Sequence, residues 1–205
     1  MLYGSVAEPT RRVYFSFHYQ NDIQRLMQVR NHWVTKETRK AAGFFDGSLE
    51  EKAKTEGSIA VKRAINAGMV GSSVTCVVIG SETYQRHWVR YEILKSIEQG
   101  MGVFGVRVHQ LKNLSRQTAI KGPDPFDWLG YSWNDSTGKL KPVYWDGRQW
   151  LTYTDADTVP TSAAKYLVRD SFKLSRFFSV YDWVDDNGYD NFSSWVAAAA
   201  RQAGR

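Results

Sequence analysis

The chain has 205 residues, 42% of them hydrophobic and 14% aromatic, which suits one domain of ordinary size with an elaboration and argues against disorder outside the ends. Its formal net charge of +6 and pI near 9.4 would suit a polyphosphate ligand or nucleic acid, but the basic residues are scattered. With no helix-turn-helix, zinc-finger or stacking-sheet signature, the expectation is a mildly basic surface with no nucleic-acid partner.

The single cysteine, Cys76, excludes an intrachain disulfide and lies in the apolar run "SVTCVVIG", where a buried, inert thiol in a reducing compartment is the natural reading. The opening "MLYGSVAEPTRRVYF" lacks the basic and long apolar regions of a secretory signal, and no apolar run reaches the roughly 18 residues of a membrane span. A cytoplasmic location with no membrane partner is expected.

Residues 1–11 read as a loose arm. "RVYFSFHY" (12–19) is a β-rich apolar run suited to a central strand, and "QNDIQRLMQVRNHWV" follows with helical spacing and Asn21 or Asp22 placed to cap it. A short strand ending near Asp46, a Gly47-Ser48 turn and a helix with Ile59, Val61, Ala64 and Ile65 on its apolar face come next, closed by Gly68 and Gly71. "SVTCVVIGS" (73–81) is the clearest buried strand, "HWVRYEILKSIEQG" (87–100) a helix, and "GVFGVRVH" (102–109) a further strand. Strand and helix alternating in this way predict an α/β, doubly wound parallel sheet of flavodoxin-like type over residues 12–110.

The pattern changes over residues 111–205, expected to form a C-terminal extension packed on that core. "KGPDPFDWLGYSW" reads as mostly loop. "KLKPVYWDGRQWLTYT" reads as a hairpin around Asp146-Gly147, and the aromatic-rich remainder as two or three short helices. Asp182, Asp185, Asp186 and Asp190 form an acidic run that suits either a partner surface or a solvated helix end.

In a parallel α/β sheet ligands lie beyond the carboxyl ends of the strands. That directs attention to Phe17, His18 and Tyr19, to Asp46–Leu49, to Ser81–Tyr84 and to His109. A glycine-rich dinucleotide turn, a phosphate-binding P-loop, a nucleophile elbow and His or Cys pairs at metal-ligand spacing are all missing, so no metal site and no bound cofactor are expected. What remains is Glu92, one helical turn after Trp88 and beside a stripe of Val89, Ile93 and Ile97. Pattern alone favours an ordinary helix, with Trp88 in the core and Glu92 paired with Lys95 or Lys62 at the surface.

W-x-x-x-E on the helix after the third strand resembles the pattern of TIR domains that cleave NAD. Six ordered blocks extend the likeness: "YFSFHYQND", "VRNHWVTK", "AAGFFDGSLEEKAK", "SSVTCVVIGSETYQRHWVRYEILKSIEQG", "KGPDPFDWLGY" and "VYDWVDDNGYDNFSSWV". Together they are similar to the TIR-like proteins of the Thoeris anti-phage system, the ThsB group, over nearly the whole chain. The resemblance implies a TIR-like fold and an enzyme that on infection converts NAD, as substrate, to nicotinamide and a cyclic ADP-ribose isomer. That second messenger would activate a separate ThsA-like effector. A phage-derived trigger and a homo-oligomer in the active state are further implied.

On this reading Glu92 is the catalytic carboxylate, and Phe17, His18 and Tyr19 line the nucleotide pocket unless Phe17 is core and His18 an ordinary histidine. Asp46 caps the following helix or binds ribose, Trp88 buttresses Glu92, Tyr84 is a further pocket residue, and Lys36, Arg39 or Arg90 would meet the phosphates. Two other readings stay open: a non-catalytic TIR-like assembly scaffold, and a glycohydrolase releasing linear ADP-ribose.

Overall fold

In "RRVYFS" the side chains of Val13 and Phe15 point one way and those of Tyr14 and Ser16 the other, and all four are buried. A strand buried on both faces belongs in the middle of a sheet covered on both sides. The computed structural model, which describes residues 11–34, 39–42, 55–163, 166–169 and 172–205, places it there. Strand β1 (Arg11–Ser16) pairs in parallel with β2 (Arg39–Ala42) on one side and β3 (Val74–Ile79) on the other. β4 (Gly102–Arg107) and, at the far edge, β8 (Val180–Asp182) complete a five-stranded sheet in the order β2-β1-β3-β4-β8.

The expected doubly wound α/β architecture is present. Helices α1 (Tyr19–Val34) and α4 (Gly188–Gln202) cover one face, and α2 (Ser58–Met69) and α3 (His87–Glu98) the other. The two cores follow from the strand alternation. Val13, Phe15, Cys76, Val78 and Phe104 pack with Leu26, Trp33, Phe192 and Val196, while Tyr14, Val77 and Ile79 pack with Val61, Ile65, Ile93 and Ile97. Cys76 is fully buried and burial pushes its thiol well above the usual range, consistent with an inert core residue.

Three expectations about local structure are corrected. Ile59 is 66% exposed, because the buried stripe of α2 runs through Val61, Ile65 and Met69 at intervals of one turn. The second half of "KGPDPFDWLGYSW" is not loop. It forms β5 (Leu129–Asn134), paired antiparallel with β6 (Lys139–Trp145) and thence with β7 (Trp150–Thr152), its alternation masked by the two prolines preceding it. Among its described residues the C-terminal stretch holds a short 3-10 helix at Leu174–Arg176, strand β8 and the long helix α4, where two or three short helices were expected. A three-residue strand carries too little sequence to show a period.

The hairpin expected at Asp146-Gly147 is formed by β6 and β7. Asp146 accepts from the amides of Arg148 and Gln149 at 2.7 and 2.8 Å, and Gly147 takes a φ of +104°. The acidic run is likewise a set of turn and cap acceptors: Asp182 accepts from the Val184 and Asp185 amides, and Asp186 from the Asp182 amide.

α4 lies so close to β4 that a Cβ on Gly102 would sit 2.4 Å from the carbonyl oxygen of Ala199. Neither backbone can yield without parting helix from sheet. Gly102→Ala is therefore expected to lower stability by about 1–3 kcal/mol in urea unfolding, whereas Ile59→Ser should stay within about 0.5 kcal/mol of the parent.

Candidate active site

α3 begins after a 3-10 turn at Thr83–Gln85 and runs back across the sheet. Its apolar residues Val89, Ile93 and Ile97 anchor it, and Ser96 fixes its height: the Ser96 hydroxyl lies 2.7 Å from the Glu92 carbonyl and 2.7 Å from Thr75 Oγ1 on β3. This grip brings Glu92 over β1. The Tyr14 hydroxyl donates to Glu92 Oε1 at 2.5 Å and the Ser16 hydroxyl to Oε2 at 2.5 Å. Alternation along β1 puts these two donors on the same face, two residues apart, so each carboxylate oxygen receives one.

Glu92 is only 3% exposed, and among the described residues no Lys, Arg or His forms an ion pair with it. The surface pairing with Lys62 or Lys95 is thereby corrected. Lys62 bonds Asp155 at 2.8 Å and Lys95 bonds Glu98 at 2.6 Å, because both point away from the sheet while Glu92 points into it.

Burial pushes the Glu92 carboxyl up from 4.5 to about 7, against the opposing pull of the hydrogen bonds from Ser16 and Tyr14. Burial wins, but the two hydroxyls keep the group near neutrality, where it can exchange between charged and uncharged forms. Tyr14 itself is raised well above the ordinary tyrosine value by burial and by the neighbouring carboxylate, so it remains a donor.

Ser16 is the last residue of β1, so the carboxylate stands at the carboxyl end of that strand, with Phe17, His18 and Tyr19 immediately following. Phe17 is half-buried, packed beside the core under α1 and 6.2 Å from the Tyr19 ring; His18 is buried; Tyr19 opens α1. Trp88 is buried one turn before Glu92, edge-on to Tyr91 and His87 at 6.0 and 4.8 Å, as a packing residue. Tyr84 sits in the 3-10 turn against Trp128, ring centroids 4.6 Å apart, and its carbonyl faces Arg90 rather than Glu92. Asp46 and Lys36 lie outside the described residues, as does the Arg39 side chain. His109 pairs with Asp182 at 3.3 Å, at the edge away from Glu92.

The default ligand crevice of such a sheet is its switch point, here between β1 and β3. The chain fills that crevice with Asp22. Its carboxyl lies so close to Gly80 that a Cβ there would be 2.0 Å from Oδ1, and the Thr83 hydroxyl, which accepts from the Gly80 amide at 2.9 Å, is 3.4 Å from Oδ2. Asp22 thus spans the sheet ends, and the capping role expected of Asn21 or Asp22 is corrected: α1 already starts at Tyr19, so both lie inside its first turn. Burial raises the pKa of Asp22 to about 6. The switch point is thus plugged, and Glu92 lies on the α2–α3 side of the sheet.

Sequence reasoning missed Tyr14 and Ser16. The signal was available: in "YFS" two hydroxyls stand two apart at the end of a strand, but nothing local says which residue on a distant helix they meet.

Comparison with known proteins bears on the family. Residues 14–113 match the family described as "Thoeris protein ThsB, TIR-like domain", which spans β1 to just beyond β4 and includes Glu92 with both its donors. A relative from Bacillus cereus (strain MSX-D12), named "Putative cyclic ADP-D-ribose synthase ThsB1", is 48% identical over 189 residues, covering 91% of this chain and 98% of the relative.

The chain belongs to the ThsB family of Thoeris TIR-like proteins.

Within this ThsB-family fold the electrostatics of Glu92 have a measurable consequence. Its pKa is higher folded than unfolded, so the folded state favours the protonated form. Its relative contribution is fully present below about pH 4.5, and stability is lost as pH rises through about 7, by about 3 kcal/mol in all. Glu92→Gln cannot ionise. Melting curves of the two proteins are expected to converge near pH 5 and separate with rising pH, the Gln variant becoming the more stable above pH 7. A gap that ignores pH would contradict the buried, clamped carboxyl.

Proposed function

We propose that this protein cleaves NAD at the nicotinamide–ribose bond and closes the remaining ADP-ribose into a cyclic product, a diffusible signal for a separate effector in anti-phage defence. The observation that carries the reading is the Glu92 carboxyl held between the Tyr14 and Ser16 hydroxyls at the carboxyl end of β1, in a chain 48% identical to a protein named as a cyclic ADP-D-ribose synthase.

The chemistry asks little beyond what these residues offer. When the bond breaks, its electron pair goes to the pyridinium nitrogen, neutral nicotinamide leaves, and positive charge develops on the ribose. No general acid is needed, because the leaving group already carries the charge that departs as a neutral molecule. A carboxylate near the sugar stabilises the oxocarbenium character or accepts hydrogen bonds from ribose hydroxyls. Each Glu92 oxygen uses one acceptor direction on a protein hydroxyl and retains another for substrate.

In the ionised state Glu92 stabilises the developing cation. If the closing nucleophile is a hydroxyl of the same ADP-ribose, a group with pKa about 7 can also take its proton. Cyclisation over hydrolysis requires that this internal nucleophile be held close and water kept out. We assign the water-excluding surroundings to the buried aromatic wall of Tyr14 and Trp88, with Phe17, His18 and Tyr19 lining the approach.

The test is mass spectrometry of nucleotides from infected cells carrying the wild type or Glu92→Gln. Wild type is expected to yield nicotinamide and a cyclic ADP-ribose isomer and Glu92→Gln neither, a loss of at least a hundredfold. Linear ADP-ribose as the main wild-type product would assign a glycohydrolase instead, and defence that survives Glu92→Gln would assign a scaffold. Tyr14→Phe keeps the ring and removes one donor, so burial acts with less opposition and the Glu92 pKa rises further. The pH–rate profile of Tyr14→Phe should shift to higher pH, with activity at pH 7 falling about tenfold; an unshifted profile would remove Tyr14 from the mechanism.

A further inference from the structure

Glu92 and Arg90 are two positions apart on α3, roughly 200° around the helix axis, so they serve opposite faces. Arg90 turns away from the sheet, towards the hairpin of β6 and β7. There it lines a cavity of about 130 Å³ together with His87, Tyr144, Tyr153 and Asp155.

The arginine is held in place, but among the described residues it has no charge partner. Its guanidinium lies 4.7 Å from the centroid of the Tyr144 ring, and Nε makes one long bond of 3.4 Å to the Tyr84 carbonyl. Arg90 is half-buried, and among the described residues no carboxylate forms an ion pair with it. Burial accordingly pulls its pKa below the ordinary arginine value. A guanidinium stays charged all the same, and a partly desolvated charge without compensation is unfavourable until an anion joins it.

The one carboxylate in the cavity is already committed. Asp155 Oδ1 takes Lys62 Nζ at 2.8 Å and Oδ2 takes His87 Nε2 at 3.0 Å. His87 is in turn pinned, since the Tyr153 hydroxyl donates to its carbonyl at 2.9 Å and the two rings lie 5.2 Å apart. The fixed charges of Arg90, Lys62 and Asp155 leave an excess of one positive charge. The Thr152 and Thr154 side chains, both exposed, stand at the rim.

We propose that this cavity is a second ligand site, a pocket for a phosphoryl group bound by Arg90 and the threonine hydroxyls, separate from the Glu92 site on the other face of α3. Its size takes one phosphoryl group with a water or two, each water needing about 30 Å³, and is too small for a whole nucleoside. The planar guanidinium, oriented by Tyr144, presents paired N–H donors of the kind that recognise phosphate oxygens. A nucleotide would insert its terminal phosphate and leave its base outside. The site stands on its own observations and does not depend on NAD being the substrate at Glu92.

Isothermal titration of the full chain with inorganic phosphate, AMP and acetate tests the assignment. Phosphate and AMP are expected to bind wild type and Glu92→Gln with affinities within twofold of one another, and acetate at least tenfold more weakly. AMP binding tighter than phosphate would identify a nucleotide as the source of the phosphoryl group, and equal binding free phosphate; both support the pocket. Arg90→Gln should weaken both ligands at least tenfold. Thr154→Asp, at an exposed position that leaves the core untouched, should do the same by placing a negative charge at the rim. Phosphate affinity unchanged in these two variants, no binding by wild type, or acetate binding as well as phosphate overturns the proposal. Loss of phosphate binding in Glu92→Gln would overturn the separateness of the two sites.

Discussion

The buried carboxyl of Glu92 governs the arrangement of its side of the sheet. Taking an unpaired carboxylate out of water is costly, and the fold answers with two hydroxyl donors from β1 and, among the described residues, no cation. That choice matters for chemistry. An arginine partner would hold the group permanently ionised and compete with substrate, whereas hydroxyls leave it near pH 7 with acceptor capacity to spare. The arrangement also explains why α3 is gripped twice, by its apolar stripe and by the Thr75–Ser96–Glu92 hydrogen-bond chain. A displacement of the helix by even part of a turn would separate the carboxyl from both donors.

The same economy operates at the switch point of the sheet. Asp22 and Thr83 close the crevice between β1 and β3 through Gly80, the one residue there small enough to accept the carboxyl. Arg25, buried behind Asp22, is satisfied by carbonyls of Asn21, Leu111 and Gln117, so the loop after β4 is tied to α1. A segment that reads in the sequence as connection becomes part of the wall behind the site. The fold keeps the general topology of a nucleotide-binding sheet while its switch point is filled by its own side chains.

Much of this was legible from periodicity. β1, β3 and β4 are continuous apolar runs, and α1 and α3 show a helical repeat, because buried parallel strands and amphipathic helices impose those patterns directly. The place of Glu92 on the helix after the third strand drew attention to it, and the resemblance to NAD-cleaving TIR domains supplied its expected role. The sequence did not show what the carboxyl touches, since Tyr14 and Ser16 are 78 and 76 positions away and the pairing is decided by how α3 crosses the sheet. β5 and β8 escaped notice for a different reason. One follows prolines and the other is three residues long, so neither repeats a pattern often enough to be recognised.

α3 thus carries two chemically different faces within one turn. Towards the sheet it presents a carboxyl held by hydroxyls, and towards the hairpin a guanidinium against an aromatic ring, neither with an ion partner among the described residues. In an ordinary surface helix residues of these two types would be expected to find each other or solvent. Here the i to i+2 spacing forbids their pairing, and the hairpin of β6 and β7 leaves one of them half-buried. The unpaired charges sit on a helix whose position is otherwise over-determined by packing. This is the condition under which a fold can sustain local electrostatic cost for a ligand to relieve.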